Sequence, residues 1–235
     1  MTPTLAALKE RVRLLERPAA RHDSILPFGI ASLDAHLPDR GLALAALHEV
    51  GGEAACATLF IAGILARLDQ AVVWCARTPD VFAPGLAGAG LKPDRVIHAQ
   101  APDEKTVLLA MEEALRHPGL AAVVGEVSRL PMTASRRLTL AAEKSGVMAV
   151  ALLQARKRDA PAPNAARTRW RIGPLPSAPL TAPGIGRARW LVELTRCRGG
   201  NPGTWIMEAC DAQGYLAVPA ELADRPAAAA RVRAA

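Results

Sequence analysis

Aromatic side chains are scarce in this chain, 3% of residues, so the few present mark positions worth reading. Trp190 sits in an alternating apolar run and reads as core. Trp170 sits among arginines and reads as exposed. The four cysteines, Cys56, Cys75, Cys197 and Cys210, form no C-x-x-C pair, which argues against a zinc or dithiol motif and fits reduced thiols. No metal and no cofactor is expected. No apolar run reaches transmembrane length and the N-terminal residues contain no signal-peptide core, so no membrane association is expected and the cytoplasm is the expected compartment. Acids are nearly missing between Ala151 and Gly200. There Arg156, Lys157, Arg158, Arg167, Arg169, Arg171, Arg187, Arg189, Arg196 and Arg198 face only Asp159 and Glu193, so this stretch carries more than the whole formal charge of +7. Basic excess that concentrated points to a polyanion or an acidic partner.

What is present is ample apolar material. With 51% hydrophobic residues in 235, the chain supports one large domain with short appendages. Leu5, Leu8, Val12 and Leu15 recur at helical spacing over Thr4 to Glu16, an amphipathic N-terminal helix suited to packing on its own domain or docking on a neighbour. A short helix capped by Ser32 follows a Pro/Gly turn. Strands are expected over Leu42–Val50, Ala71–Cys75, Arg95–Ala99, Leu120–Val124 and Val147–Leu153. Helices are expected over Ala54–Leu68, Lys105–Arg116 and, capped by Thr133, Thr133–Lys144. Apolar strands alternating with helices imply an α/β three-layer core with a mostly parallel sheet. Ligands of such sheets sit beyond the carboxyl ends of the strands. Asp159 to Gly186 holds Pro161, Pro163, Pro174, Pro176, Pro179 and Pro183, which argue against regular structure over most of it. Arg189–Arg196 and Thr204–Ala209 then form a C-terminal antiparallel hairpin around Gly199-Gly200-Asn201-Pro202-Gly203. The resulting domains are an N-terminal helix over 1–20, a core over 21–218 with a basic Pro-rich loop at 155–186, and an Ala/Arg-rich tail over 219–235.

One stretch bears directly on chemistry. His48-Glu49-Val50-Gly51-Gly52-Glu53-Ala54-Ala55-Cys56-Ala57-Thr58-Leu59 lies between two apolar runs, in the strand, glycine turn, helix layout of a phosphate-binding loop. In the signature G-x-x-x-x-G-K-[ST], backbone N–H groups cradle phosphates and the lysine neutralises them. Counted from Gly51, Cys56 replaces the second glycine, Ala57 replaces the lysine and Thr58 keeps its place. Gly51 and Gly52 then serve the tight turn, with a weak anion site on the helix N-terminus as the sharper alternative. Cys56 is either a small buried residue or a thiol acidified by that terminus. His48 reads as a satisfied strand-end histidine. Glu49 and Glu126 form an acid/base pair only on paper, with no nucleophile or metal ligands beside them.

Residues 25 to 216 resemble the RecA/RadA recombinase core. Phe28-Gly29-Ile30-Ala31-Ser32-Leu33-Asp34 is similar to the segment leading into that family's phosphate loop. Ala71–Ala76, Leu91–Gln100, Asp103–Leu115, Leu120–Val127 and Val147–Gln154 follow in RecA order. A short basic RecA-like chain with Cys56 and Ala57 in the loop resembles the ImuA family. By that resemblance Arg77 stands where the water-activating acid should be and Gly125 where the magnesium-side aspartate should be, with Glu126 beside it. Gln154 matches the glutamine that senses the γ-phosphate. Loss of the lysine and the carboxylate removes the electrostatic terms that dominate phosphoryl transfer.

The resemblance implies a non-catalytic adaptor in DNA-damage-induced, error-prone translesion synthesis, part of the SOS response. It implies as partners an ImuB-like catalytically inactive polymerase homologue, RecA and, indirectly, an error-prone polymerase III alpha-type subunit. It also implies a cytoplasmic, nucleoid-associated location. In RecA proteins the loop after the sensing glutamine binds DNA. Here that makes Arg156, Lys157, Arg158, Arg167, Arg169, Trp170 and Arg171 candidates for single-stranded DNA, phosphates on the guanidiniums and a base on Trp170. Leu5, Leu8, Val12 and Leu15 are the partner-docking candidates. The competing readings are an active DNA-dependent ATPase, a SulA-like damage-induced cell-division inhibitor, and a plain RecA-fold binding module.

Overall fold

The computed structural model describes residues 25–78, 80–154, 162–177, 184 and 186–219. The expected N-terminal helix, with Leu5, Leu8, Val12 and Leu15, lies outside the described residues, as do Arg156, Lys157 and Arg158 and nearly all of the expected tail. The strands are β1 (Ile25–Leu26), β2 (Leu42–Ala43), β3 (Leu47–Gly52), β4 (Ala71–Ala76), β5 (Val96–Gln100), β6 (Leu120–Val127), β7 (Met148–Leu153), β8 (Thr168–Leu175), β9 (Arg189–Cys197) and β10 (Gly203–Glu208). The helices are α1 (Ala31–Asp34), α2 (Ala54–Ala66), α3 (Ala83–Gly88), α4 (Glu104–Ala114) and α5 (Met132–Ser145). Eight strands form one sheet in the order β10-β9-β8-β3-β7-β6-β4-β5. Pairing is parallel from β5 through β8 and antiparallel for β8–β9 and β9–β10. The α/β fold class and the C-terminal hairpin are thus as the sequence implied.

Strand parity divides the core into two layers, because successive side chains point to opposite faces. On one face Val50, Trp74, Val124, Val150, Trp170 and Val192 meet α2 residues such as Phe60 and Ile61. On the other, Leu47, Cys75, Val123 and Ala149 meet Val107 and Met111 of α4 and Leu138 and Ala142 of α5. Helix α2 is apolar almost all round because it is covered on two sides. Beyond the sheet, residues Cys210 and Gly214 press on Gly63, where an added Cβ would stand 2.2 Å from the Cys210 sulfur.

Several local expectations are corrected. Leu42–Val50 is not one strand: β2 pairs with β1 and, after a break, β3 enters the main sheet. Ser32 does not cap α1; the Asp34 carboxylate instead accepts from the amides of Phe28 at 2.8 Å and Gly29 at 2.9 Å, holding the preceding turn. Thr133 does not cap α5, which starts after Pro131 without a side-chain cap. The largest correction is β8, which lies inside the expected irregular segment. Its Thr168, Trp170 and Ile172 alternate inward while Arg169 and Arg171 take the other face. Pairing with β3 ends at Ile172, so Pro174 lies beyond the β3 ladder and its missing N–H costs that ladder nothing.

Candidate functional site

The turn between β3 and α2 is far shorter than the glycine-rich frame suggested. The strand runs through Gly52, the helix begins at Ala54, and Glu53 alone stands between them. Eight residues counted from Gly51 therefore run into the helix, not around a loop. Ala57, at the lysine position, is fully buried in the α2 core layer and directed away from solvent. Gly52 is the glycine the turn requires: its φ is +116°, and a Cβ there would lie 2.1 Å from the Ile172 carbonyl oxygen. The amide of Glu53 donates to that same oxygen at 2.8 Å, so β8 pins the turn.

The start of α2 already holds an anion. The Glu53 carboxylate accepts from the Cys56 amide at 2.9 Å. That bond is the main reason its pKa falls below the ordinary carboxylate value. The N-terminal amides and helix dipole that would draw a phosphate thus face an internal carboxylate. An external anion at this terminus would have to compete with that carboxylate. Cys56 is buried and its thiol is pushed up to about 12, chiefly by burial and then by Glu53, the reverse of the acidified-thiol alternative.

Along the strand-end edge the other expected positions are dispersed. Arg77 is exposed beyond β4, its carbonyl accepting from Gln100 Nε2 at 3.3 Å. Gly125 is packed against α4: an added Cβ would lie 2.1 Å from the Met111 sulfur. It therefore faces the α4–α5 layer, and Glu126 takes the α2 face. Glu126 is buried and accepts from Trp74 Nε1 at 2.6 Å and from Gln154 Nε2. Burial is the main reason its pKa is raised, opposed by the Trp74 bond and reinforced by the charge of Asp80. Gln154, the expected phosphate sensor, is thus engaged with Glu126. Among the described residues no cluster of His, Cys, Asp and Glu could hold a metal.

Glu49 and Glu126 point to opposite faces, so they form no pair. Glu49 is buried on the α4–α5 face, where Arg169 grips it with Nε 2.7 Å from Oε1 and Nη2 3.1 Å from Oε2. Asn164 also donates to it. Arg169 is therefore a structural ion-pair partner and not a free cation for DNA. Trp170 is only 2% exposed, which overturns the expected stacking role. Its ring lies 5.5 Å from Phe28 and 5.7 Å from Phe60, and its indole N–H donates to Thr168 Oγ1 at 2.8 Å. Thr168 lies 2.7 Å from His48 Nδ1, and His48 Nε2 donates to the Ala43 carbonyl at 2.7 Å. His48 is a satisfied histidine whose pKa is lowered to about 4 by burial. Arg167 is partly covered at the start of β8. Arg171 is exposed on the outer face, 3.9 Å from Glu193.

Three consequential residues were not singled out from sequence. Glu53 directly precedes the helix expected from Ala54, but glutamate is not among the usual N-cap residues, so its capping role gave no clear signal. Helical periodicity places Met111 on the apolar face of its helix, but its contact with Gly125 and the role of Asn164 depend on partners distant in the chain.

Comparison with known proteins follows the same lines. No family model matches the chain. Protein ImuA of Caulobacter vibrioides strain NA1000 / CB15N is 42% identical over 228 residues, covering 88% of this chain and 93% of that protein. Protein ImuA of Caulobacter vibrioides strain ATCC 19089 / CIP 103742 / CB 15 matches to the same extent, 42% over 228 residues. Among solved structures, the crystal structure of the RadB recombinase superposes with a TM-score of 0.59 at 17% identity, covering 83% of this chain and 99% of that one. That likeness shows a RecA-like fold.

Proposed function

The chain belongs to the ImuA family, and on that footing we propose that it is a non-catalytic RecA-like adaptor in DNA-damage-induced, error-prone translesion synthesis. The observation that carries the non-catalytic part is the turn before α2. A single residue spans it, and the Glu53 carboxylate occupies the helix terminus where a nucleotide phosphate would bind. Ala57 faces the core, and Gln154 is engaged by Glu126. Phosphoryl transfer needs positive charge positioned around the phosphates, and the position that would supply the lysine is the buried Ala57.

The adaptor joins protein partners. Those the reading names are an ImuB-like catalytically inactive polymerase homologue, RecA, and indirectly an error-prone polymerase III alpha-type subunit, met in the cytoplasm at the nucleoid. Contact with single-stranded DNA is assigned to Arg156, Lys157, Arg158 and the exposed Arg171, without Trp170 or Arg169. Phosphate contacts of this kind weaken steeply as salt rises.

Two measurements test the reading. Titration with a fluorescent ATP analogue is expected to give no saturable binding in the micromolar range. Micromolar affinity that disappears in Thr58→Ala would return the chain to the ATPases. Deleting the gene is expected to abolish damage-induced mutation. Filamentation on overexpression, with induced mutation untouched by the deletion, would instead make the chain a division inhibitor.

A further inference from the structure

A groove of about 480 Å³ opens between the N-terminal halves of α4 and α5, on the opposite side of the sheet from the β3–α2 turn. Leu108, Leu109 and Leu138 give it an apolar lining, and Leu109 is 45% exposed. The apolar surface continues onto exposed Met132, beside the lining residues Pro131 and Thr133. Exposed Leu140 lies three residues beyond Arg137 and seven beyond Thr133 on the same helical stripe.

Charge at the rim is unbalanced in a specific way. Both acids that line the groove are already committed: Glu104 accepts from Ser128 Oγ at 2.8 Å, and Glu112 is held by Arg137 at 2.6 Å. Asp103, the acid acting on Lys105, caps α4 by accepting from the Thr106 amide at 2.7 Å. Lys105 and Arg129, in contrast, make no ion pair or side-chain hydrogen bond among the described residues. Helix α5 adds to their sign, because its N-terminus has no side-chain cap and no acid in its first turn. An apolar trough rimmed by two cations that make no ion pair among the described residues, and lined by no aromatic side chain on which a base could stack, suits a peptide more than a nucleic acid.

We propose that the α4–α5 groove docks a short acidic segment of a partner protein, which buries apolar side chains on Leu108, Leu109 and Leu138 and sets carboxylates against Lys105 and Arg129. This rests on the adaptor reading only in taking a protein as the ligand. The test is to pan a random 16-residue phage-displayed peptide library against the full chain, then to synthesise the enriched peptides with a fluorophore and measure anisotropy. Enriched peptides are expected to be acidic with interspersed apolar residues. Their affinity is expected to fall at least tenfold in Lys105→Glu/Arg129→Glu and several-fold in Leu109→Ser, and to be unchanged in Arg77→Glu. These side chains are solvent-exposed, and matching thermal melts check that the variants fold. The proposal is overturned by no enrichment over bare support, by peptides without acidic bias, or by affinity indifferent to the double variant. It is equally overturned by displacement with an equal concentration of single-stranded oligonucleotide, which would make the groove a nucleic-acid site. Groove-dependent peptide binding in a chain dispensable for induced mutation would uphold the groove and sink the adaptor reading. The reverse pair of results would do the opposite.

Discussion

The carboxylate of Glu53 accepts a hydrogen bond from the amide of Cys56, 2.9 Å away, and caps the N-terminus of α2. One side chain thereby satisfies a backbone donor that would otherwise be open and places negative charge at the positive end of the helix dipole. Glu53→Ala is expected to cost about 1 kcal/mol of stability, the usual worth of a lost cap. Urea unfolding of the variant beside the native chain measures it.

Putting back the missing lysine is expected not to restore a nucleotide site. Position 57 is fully buried in the α2 layer, so Ala57→Lys forces an ammonium into apolar packing. The expected outcome is a loss of roughly 3 kcal/mol or more, with no gain in ATP affinity. Thermal unfolding and the fluorescent-nucleotide titration read the two halves separately.

Gly125 and Met111 form a matched pair across β6 and α4. Because a Cβ at 125 would meet the Met111 sulfur at 2.1 Å, Gly125→Ala is expected to destabilise by about 1–3 kcal/mol through overpacking. Met111→Ala makes room for that methyl, so the double variant is expected to be more stable than the sum of the two single losses predicts. A double-mutant cycle by chemical denaturation gives the coupling, and strict additivity would show that the two residues do not compete for space.

Arg169 and Glu49 form a buried ion pair that ties β8 to β3. Arg169→Met leaves a buried carboxylate with Asn164 alone and is expected to cost about 3–5 kcal/mol. Replacing both charges, Glu49→Leu with Arg169→Met, is expected to recover much of that loss. If Arg169→Met instead leaves stability unchanged and only weakens DNA binding, the ion pair has no structural role.

His48 predicts an acid-side loss of stability. Its folded pKa, about 4, lies below the ordinary histidine value of 6.5, so between those pH values the unfolded chain takes up the proton and the folded chain does not. Stability from this residue is therefore present above about pH 6.5 and declines as pH falls toward 4, by about 3 kcal/mol in total. In His48→Gln, the decline between those limits is expected to be shallower. Unfolding free energies measured at half-unit pH steps test the difference.

Much of the architecture was legible because it is local. The apolar runs Ala71–Cys75, Leu120–Val124 and Val147–Leu153 appear as β4, β6 and β7, and helical periodicity located α4 and α5. β8 was obscured by its own composition. Arginines and prolines around Trp170 resemble a solvated linker, and the alternation of Thr168, Trp170 and Ile172 is short. A strand becomes a strand there because β3 on one side and β9 on the other satisfy its backbone. No window of the sequence contains both partners.

The sequence by itself determined the layered α/β class, the alanine where a phosphate loop carries lysine, and the concentration of basic residues after Gln154. These follow from residue identity and short-range period, which need no partner. Only the tertiary structure decided which way side chains face. It turned Gly125 toward Met111 and Glu126 toward Trp74, buried Trp170 among phenylalanines, and gave Arg169 to Glu49. A strand's two faces are equivalent until neighbours distant in the chain cover them. Whether an arginine is a ligand for phosphate or a strut in the core is therefore settled by the sheet that forms around it.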